Sequence, residues 1–325
     1  MKSFHFFFLL LSFTFSVTCR LFSTDIAYVA NIYNGAIDVV DLTTKAVIQS
    51  IALGYPPLGI VFSPDGTKAY VTGSGSTSID QIDTATHTVT GSIGVGTPLQ
   101  QLAISSDGLV LYAPSARLNQ VHVISTVTNT VTTSVPISGG PVAVAITPDN
   151  AKVFITCSIT NTIVALDTTS NTLIPGIDIA VGKEPTDIAI DPVTGAKAYI
   201  CNHYTNTISV IDIISNVQVT TITVNACPNR VLITPDGATV YTLVINNQEV
   251  HVIDTTTDAT IAVIPVNDQP INAVLSPDGS KIYVTKFTAT SDNIAVVDTT
   301  THLVIDAITT GSGQGSGAIA TTTIP

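Results

Sequence analysis

Three side chains of complementary chemistry recur at one position of this chain. Asp187, Arg230 and Asn272 each stand two residues after a proline (Pro185, Pro228, Pro270), and each is followed by an apolar run. The residues aligned with them elsewhere are Gly59, Ala143 and Gln101, so the position varies while its neighbours stay apolar. A carboxylate, a guanidinium and an amide brought to one place can orient a small polar ligand. The competing outcome is that Asp187 and Arg230 pair with each other and only stiffen the molecule. Lys183, His203 and Tyr204 belong to the same candidate group, because the first precedes Pro185 and the other two follow the Asn202 of that copy. A histidine can serve as acid–base, metal ligand or loop residue. No His or carboxylate stands at metal-ligand spacing from His203, so no metal and no catalytic residue is expected.

These positions share a register because a segment of about 42 residues recurs along the chain. Pro64, Ser106, Pro148, Pro192, Pro235 and Pro277 are equivalent, as are Asp41, Asp83, Ser125, Asp167, Asp212, Asp254 and Asp298. Within one copy the pattern is all β. Gly59–Ser63 is a short apolar run, Pro64-Asp65-Gly66 a turn, and Lys68–Thr72, Ser78–Asp83 and Thr88–Ile93 three further strands. Four strands per repeat predict a seven-bladed β-propeller. The first copy starts at its second strand and the last ends on an inner-type strand near 317–322. The terminal strand should therefore join the three strands of residues 27–51 in one composite blade, removing two free sheet edges.

The motif Tyr28-Val29-Ala30-Asn31, repeated as Tyr70-Val71-Thr72-Gly73, Tyr199-Ile200-Cys201-Asn202 and Tyr283-Val284-Thr285-Lys286, resembles the YVTN-type (YncE-like) β-propeller family. The Pro-Asp-Gly turns at Asp65-Gly66, Asp236-Gly237 and Asp278-Gly279 belong to the same resemblance. It covers residues 26–325. Copy three departs from it, with Pro114 late in a strand and Ser125 in place of Asp. The resemblance implies an extracytoplasmic location, and single-stranded nucleic-acid binding is known within the family. It implies no particular chemistry.

The chain has 325 residues and a net charge of −12. That charge repels phosphate backbones, so nucleic acid is not the expected partner. Residues 1–23 read as a secretory signal peptide: Lys2, an apolar stretch from Phe4 to Val17, then Ser23-Thr24-Asp25. An uncleaved anchor and lipidation at Cys19 are the alternatives. No later apolar run approaches the roughly 18 residues needed to span a membrane, so residues 24–325 form one propeller, expected as a monomer. Cys157, Cys201 and Cys227 fall in one neighbourhood. A Cys201–Cys227 disulfide is the first expectation, Cys157–Cys201 the second, and three buried thiols the alternative.

The leading function is an extracytoplasmic, non-enzymatic binding propeller without cofactor, taking an unknown protein or a small polar ligand at the upper mouth of its channel. The alternatives are a hydrolase, lyase or lactonase, a cell-surface structural protein, and a single-stranded nucleic-acid binder. Glu184 and Glu249 are the only glutamates and neither marks an inner strand, which argues against a lactonase-like set. A haem-bearing propeller would need an axial ligand such as His203. The series Tyr28, Tyr70, Tyr112, Phe154, Tyr199, Tyr241 and Tyr283 is expected to pack between blades. His87 and His302 are expected in solvent.

Overall fold

A computed structural model describes residues 24–287, 294–310 and 316–324. Residues 1–23, expected from the sequence to be a leader, lie outside the described residues, Cys19 among them. Blade 1 holds β1 (Thr24–Asn31), β2 (Ala36–Asp41) and β3 (Ala46–Ala52). Blade 2 is β4 (Pro57–Phe62), β5 (Lys68–Gly73), β6 (Ser78–Asp83) and β7 (Thr88–Gly94). Blade 3 is β8 (Ala103–Ile104), β9 (Val110–Ser115), β10 (Gln120–Ser125) and β11 (Thr130–Pro136). Blade 4 is β12 (Pro141–Ile146), β13 (Lys152–Cys157), β14 (Thr162–Asp167) and β15 (Thr172–Ala180). Blade 5 is β16 (Pro185–Ile190), β17 (Lys197–Asn202), β18 (Thr207–Asp212) and β19 (Val217–Thr223). Blade 6 is β20 (Pro228–Ile233), β21 (Thr239–Val244), β22 (Glu249–Asp254) and β23 (Ala259–Pro265). Blade 7 is β24 (Pro270–Leu275), β25 (Lys281–Lys286), β26 (Ile294–Asp298) and β27 (Leu303–Ile308). The last strand, β28 (Ser316–Ile324), pairs antiparallel with β1 and gives blade 1 the order β28-β1-β2-β3. The ring is a seven-bladed propeller closed by its two ends, as the repeat predicts.

Packing follows from the alternation of strand residues between the two faces of each blade. Tyr28, Tyr70, Tyr112, Phe154, Tyr199, Tyr241 and Tyr283 are all buried, one per blade. Each lies in an apolar cluster shared by two sheets; the cluster of blades 1 and 2, for instance, joins Ile26, Tyr28, Ile37 and Val39 to Ile60, Ala69, Val71 and Ile82. Several tyrosine hydroxyls reach the outer turn of the following blade. Tyr28 bonds His87 Nδ1 at 2.8 Å, Tyr199 donates to Asp258 at 2.8 Å, and Tyr241 bonds His302 Nδ1 at 3.1 Å. His87 and His302 are therefore blade-to-blade contacts, which corrects the expectation that they face solvent. Their turn position is left-handed in every blade: Lys45, His87, Asn129, Asn171, Asn216, Asp258 and His302 all have φ between 51° and 60°. Asn and Asp tolerate that region better than most residues.

Blade 3 breaks the pattern. Elsewhere the residue two after the proline pairs with the third residue of the second-strand motif, as Gly59 with Thr72 and Asp187 with Cys201. In blade 3 that partner is Pro114, which has no N–H to give. The inner strand β8 is accordingly reduced to Ala103–Ile104.

Candidate functional site

The inner strands of blades 2, 4, 5, 6 and 7 each open with proline, where no ladder N–H is needed. A register shift follows at once, for example between Pro185 and Asp187 and between Pro228 and Arg230. This bulge turns the residue directly after the proline toward the channel. At the upper mouth lies a cavity of about 410 Å³ lined by Leu58, Gln100, Val142, Thr186, Asn229 and Ile271, one from each of six blades. Gln101, Arg230, Asn272, Ser158, Glu184 and Pro185 complete the lining. The volume lies within the range of small-molecule sites.

Of the candidates read from the sequence, Gln101, Arg230 and Asn272 line the mouth. Asp187 sits just beneath it, 7% exposed. Its Oδ2 accepts the Val231 N–H at 3.0 Å, and its Oδ1 accepts from Arg230 Nη1 at 3.4 Å and from Gln101 Nε2 at 3.5 Å. Gln101 reaches Asp187 past blade 4 because the intervening residue is only Ala143. Burial pushes the Asp187 carboxyl above its ordinary value, opposed by the Arg230 charge and by backbone N–H groups. Arg230 donates from Nε to Asn272 Oδ1 at 3.0 Å. Thr186 Oγ1 donates to the Asn229 carbonyl and Asn229 Nδ2 to the Ile271 carbonyl, each at 3.2 Å, so neighbouring inner strands are tied across the sector. Arg230 Nη2 and Asn272 Nδ2 make no hydrogen bond among the described residues. Two donors are thus left at the edge of the cavity, whose lining also includes Glu184.

Lys183, His203 and Tyr204 stand outside this lining. The His203 N–H donates to the Glu184 carbonyl at 3.0 Å and the Tyr204 N–H to that of Lys183 at 3.2 Å. These bonds extend the β16–β17 hairpin above the sheet, and Tyr204 is 73% exposed at its tip. His203 meets Tyr204 edge-on at 5.7 Å, and its buried Nδ1 has no partner. Among the described residues no three His, Cys, Asp or Glu side chains converge as a metal site.

The expected Cys201–Cys227 disulfide is not formed: Cys157, Cys201 and Cys227 are free thiols. Cys201 points across to Thr242 of blade 6, with Sγ 3.4 Å from Oγ1, while Cys227 sits in a left-handed turn and accepts from Asn246 Nδ2 at 3.1 Å. The sulfurs face different partners. Burial raises the Cys157 thiol to about 11 and pushes Cys201 higher still, so neither is a thiolate near neutral pH.

Sequence reasoning missed the ring directly after the proline. The variation at Thr186 and Asn229 was a usable signal, but only the bulge makes that ring face the channel.

No protein-family model and no curated protein matches this chain. Among solved structures it is similar to a functionally unknown protein from Desulfotomaculum acetoxidans, with a TM-score of 0.80 and 18% identity over 91% of this chain and 98% of that one. It is also similar to Kuenenia stuttgartiensis hydrazine synthase, with a TM-score of 0.66 and 22% identity over 74% and 76% of the two chains. A third is dihydro-heme d1 dehydrogenase NirN in complex with DHE, with a TM-score of 0.69 and 12% identity over 91% and 74%. The chain shares their propeller fold. At these identities the likeness extends to the fold alone.

Proposed function

We propose that this chain is an extracytoplasmic, non-enzymatic binding propeller of YVTN type, holding a small acceptor-rich polar molecule or a partner's loop at the upper mouth of its channel. The observation that carries the reading is the pair of unpartnered donors, Arg230 Nη2 and Asn272 Nδ2, beside a cavity of about 410 Å³. The free Nη2 of a planar guanidinium fixed through its other two nitrogens suits a single carboxylate or phosphate oxygen. Asp187 holds the guanidinium in place and offsets part of its charge. The export part of the reading rests on the leader-like residues 1–23 and on the YVTN resemblance.

Calorimetric titration with citrate and with inorganic phosphate tests the chemistry. Arg230→Lys keeps a cation near Asp187 but loses the planar fork, and it should weaken binding at least tenfold with little change in melting temperature. Arg230→Ala should abolish binding, and it should cost less in stability than in affinity. Equal affinity in wild type and Arg230→Lys would overturn the reading.

A further inference from the structure

Blade 3 departs from the repeat, and a cleft lies at the departure. Its inner strand pairs with β9 only at Ala103 and Ile104. Leu99 stands where the inner strands of blades 2, 4, 5, 6 and 7 open with proline. Beside this unpaired stretch is a cavity of about 300 Å³ whose lining includes Leu99, Pro114 and Arg117. Leu58, Gln100 and Val142 line it as well, and the same three residues line the mouth cavity of about 410 Å³. The two spaces adjoin across those residues.

Arg117 is an independent observation. The chain has three arginines among 11 basic and 23 acidic residues. Arg20 lies outside the described residues, and the other two, Arg230 and Arg117, line these adjoining cavities. Arg117 occupies the tip of the β9–β10 loop. At the matching tips stand Tyr33, Gly75, Ile159, Tyr204 and Asn246, none of them charged. The Arg117 guanidinium makes no hydrogen bond or ion pair among the described residues. The recurrent aspartates sit in the turns of the opposite face, so the negative charge of the chain is concentrated away from these two cations.

We infer that the ligand of the mouth is an elongated dicarboxylate, held at one end by Arg230 and at the other by Arg117, with an aliphatic middle over Leu58, Val142 and Leu99. This rests on the reading of the upper mouth as a binding site and adds the class of molecule. Arg230 has only Nη2 to offer, because Nε and Nη1 are taken by Asn272 and Asp187. A second anionic group therefore needs a second cation, and Arg117 has its whole fork free. Glu184 lines the blade 5 side of the mouth and repels a carboxylate there, which leaves the blade 3 side for the far end. The aliphatic residues between the two cations favour methylenes over polar groups.

Calorimetric titration of the full chain with succinate, adipate, suberate and sebacate tests the inference, each set against the monocarboxylate of equal length. The preference for the dicarboxylate should be small for succinate and rise to about fivefold to tenfold for a longer member that spans both cations. Arg117→Gln changes an exposed loop tip, so the melt should stay in place, while the preference should vanish along the whole series. No preference at any length in the wild type, or the same preference in Arg117→Gln, would overturn the inference. If phosphate binds and is lost in Arg230→Lys while no preference appears, the inference alone fails. If neither phosphate nor any carboxylate binds, the reading of the mouth fails with it.

Discussion

At the lower face of the ring the blades repeat one another, whereas at the upper mouth of the channel they diverge. Below, Asp65, Asp107, Asp149, Asp191, Asp236 and Asp278 each accept a backbone N–H of their own turn, and Asp41, Asp83, Asp167, Asp212, Asp254 and Asp298 do the same in the outer turns. Above, the equivalent residues are Gly59, Gln101, Ala143, Asp187, Arg230 and Asn272, and the side chains bond between blades. A carboxylate that recurs in six of the seven blades serves its own turn. A carboxylate that occurs once, buried and facing an arginine of the next blade, serves a site.

The largest test of the shared scaffold is removal of residues 316–325. Without β28, blade 1 loses its inner strand and β1 and β4 lose a packed neighbour. A loss of ~5 kcal/mol or more, about 10 °C in melting temperature, is expected. An unchanged melt would break the closure account.

Asp187→Ala comes next. It strips the Val231 N–H and Arg230 of a buried acceptor and should cost about 3 kcal/mol in denaturant unfolding. The same change at Asp278, exposed and bonded only within its turn, should cost far less. Equal costs would erase the contrast between the two faces.

Gly59→Ala should cost ~1–3 kcal/mol. A Cβ there would lie 2.4 Å from the Gln100 carbonyl and 2.7 Å from Thr72 Oγ1. Because Gln100 and Gln101 would have to shift, ligand affinity should fall together with stability.

The smallest effect is on pH dependence, where the two regions have opposite signs. Turn bonds lower Asp278 from its ordinary 3.8 to about 2, so its contribution is present above pH 3.8 and disappears as pH falls through about 2. Asp187 is raised, so its contribution is present below its ordinary value and declines as pH rises through its folded value. Melting temperatures from pH 6 to pH 2 should therefore fall less steeply in Asp278→Asn than in wild type, and at least as steeply in Asp187→Asn.

Most of the fold was legible because the repeat is written in turn chemistry. Pro-Asp-Gly and Asp-Thr-Thr segments mark the same corners in copy after copy, and the offset of the first copy already implies the composite blade. Pro114 marked blade 3 as irregular, but the shortening of β8 follows only from which residue Pro114 faces. The site was half legible. Arg230, Asn272 and Gln101 stood out as deviations from the repeat, whereas Thr186 and Asn229 vary as well but reach the channel only through the bulge after Pro185 and Pro228. The cysteines misled because nearness along equivalent strands does not tell which way a sulfur points. His87 and His302 misled because a turn that looks exposed within one blade is covered by a tyrosine of the preceding one.

The most direct test of the central claim is native mass spectrometry of the protein isolated from its own host, set against its denatured mass and against Arg230→Lys. The account predicts an extra non-covalent mass on the wild type that is missing from the variant. A bare mature chain in both, or the same added mass retained by Arg230→Lys, would contradict it.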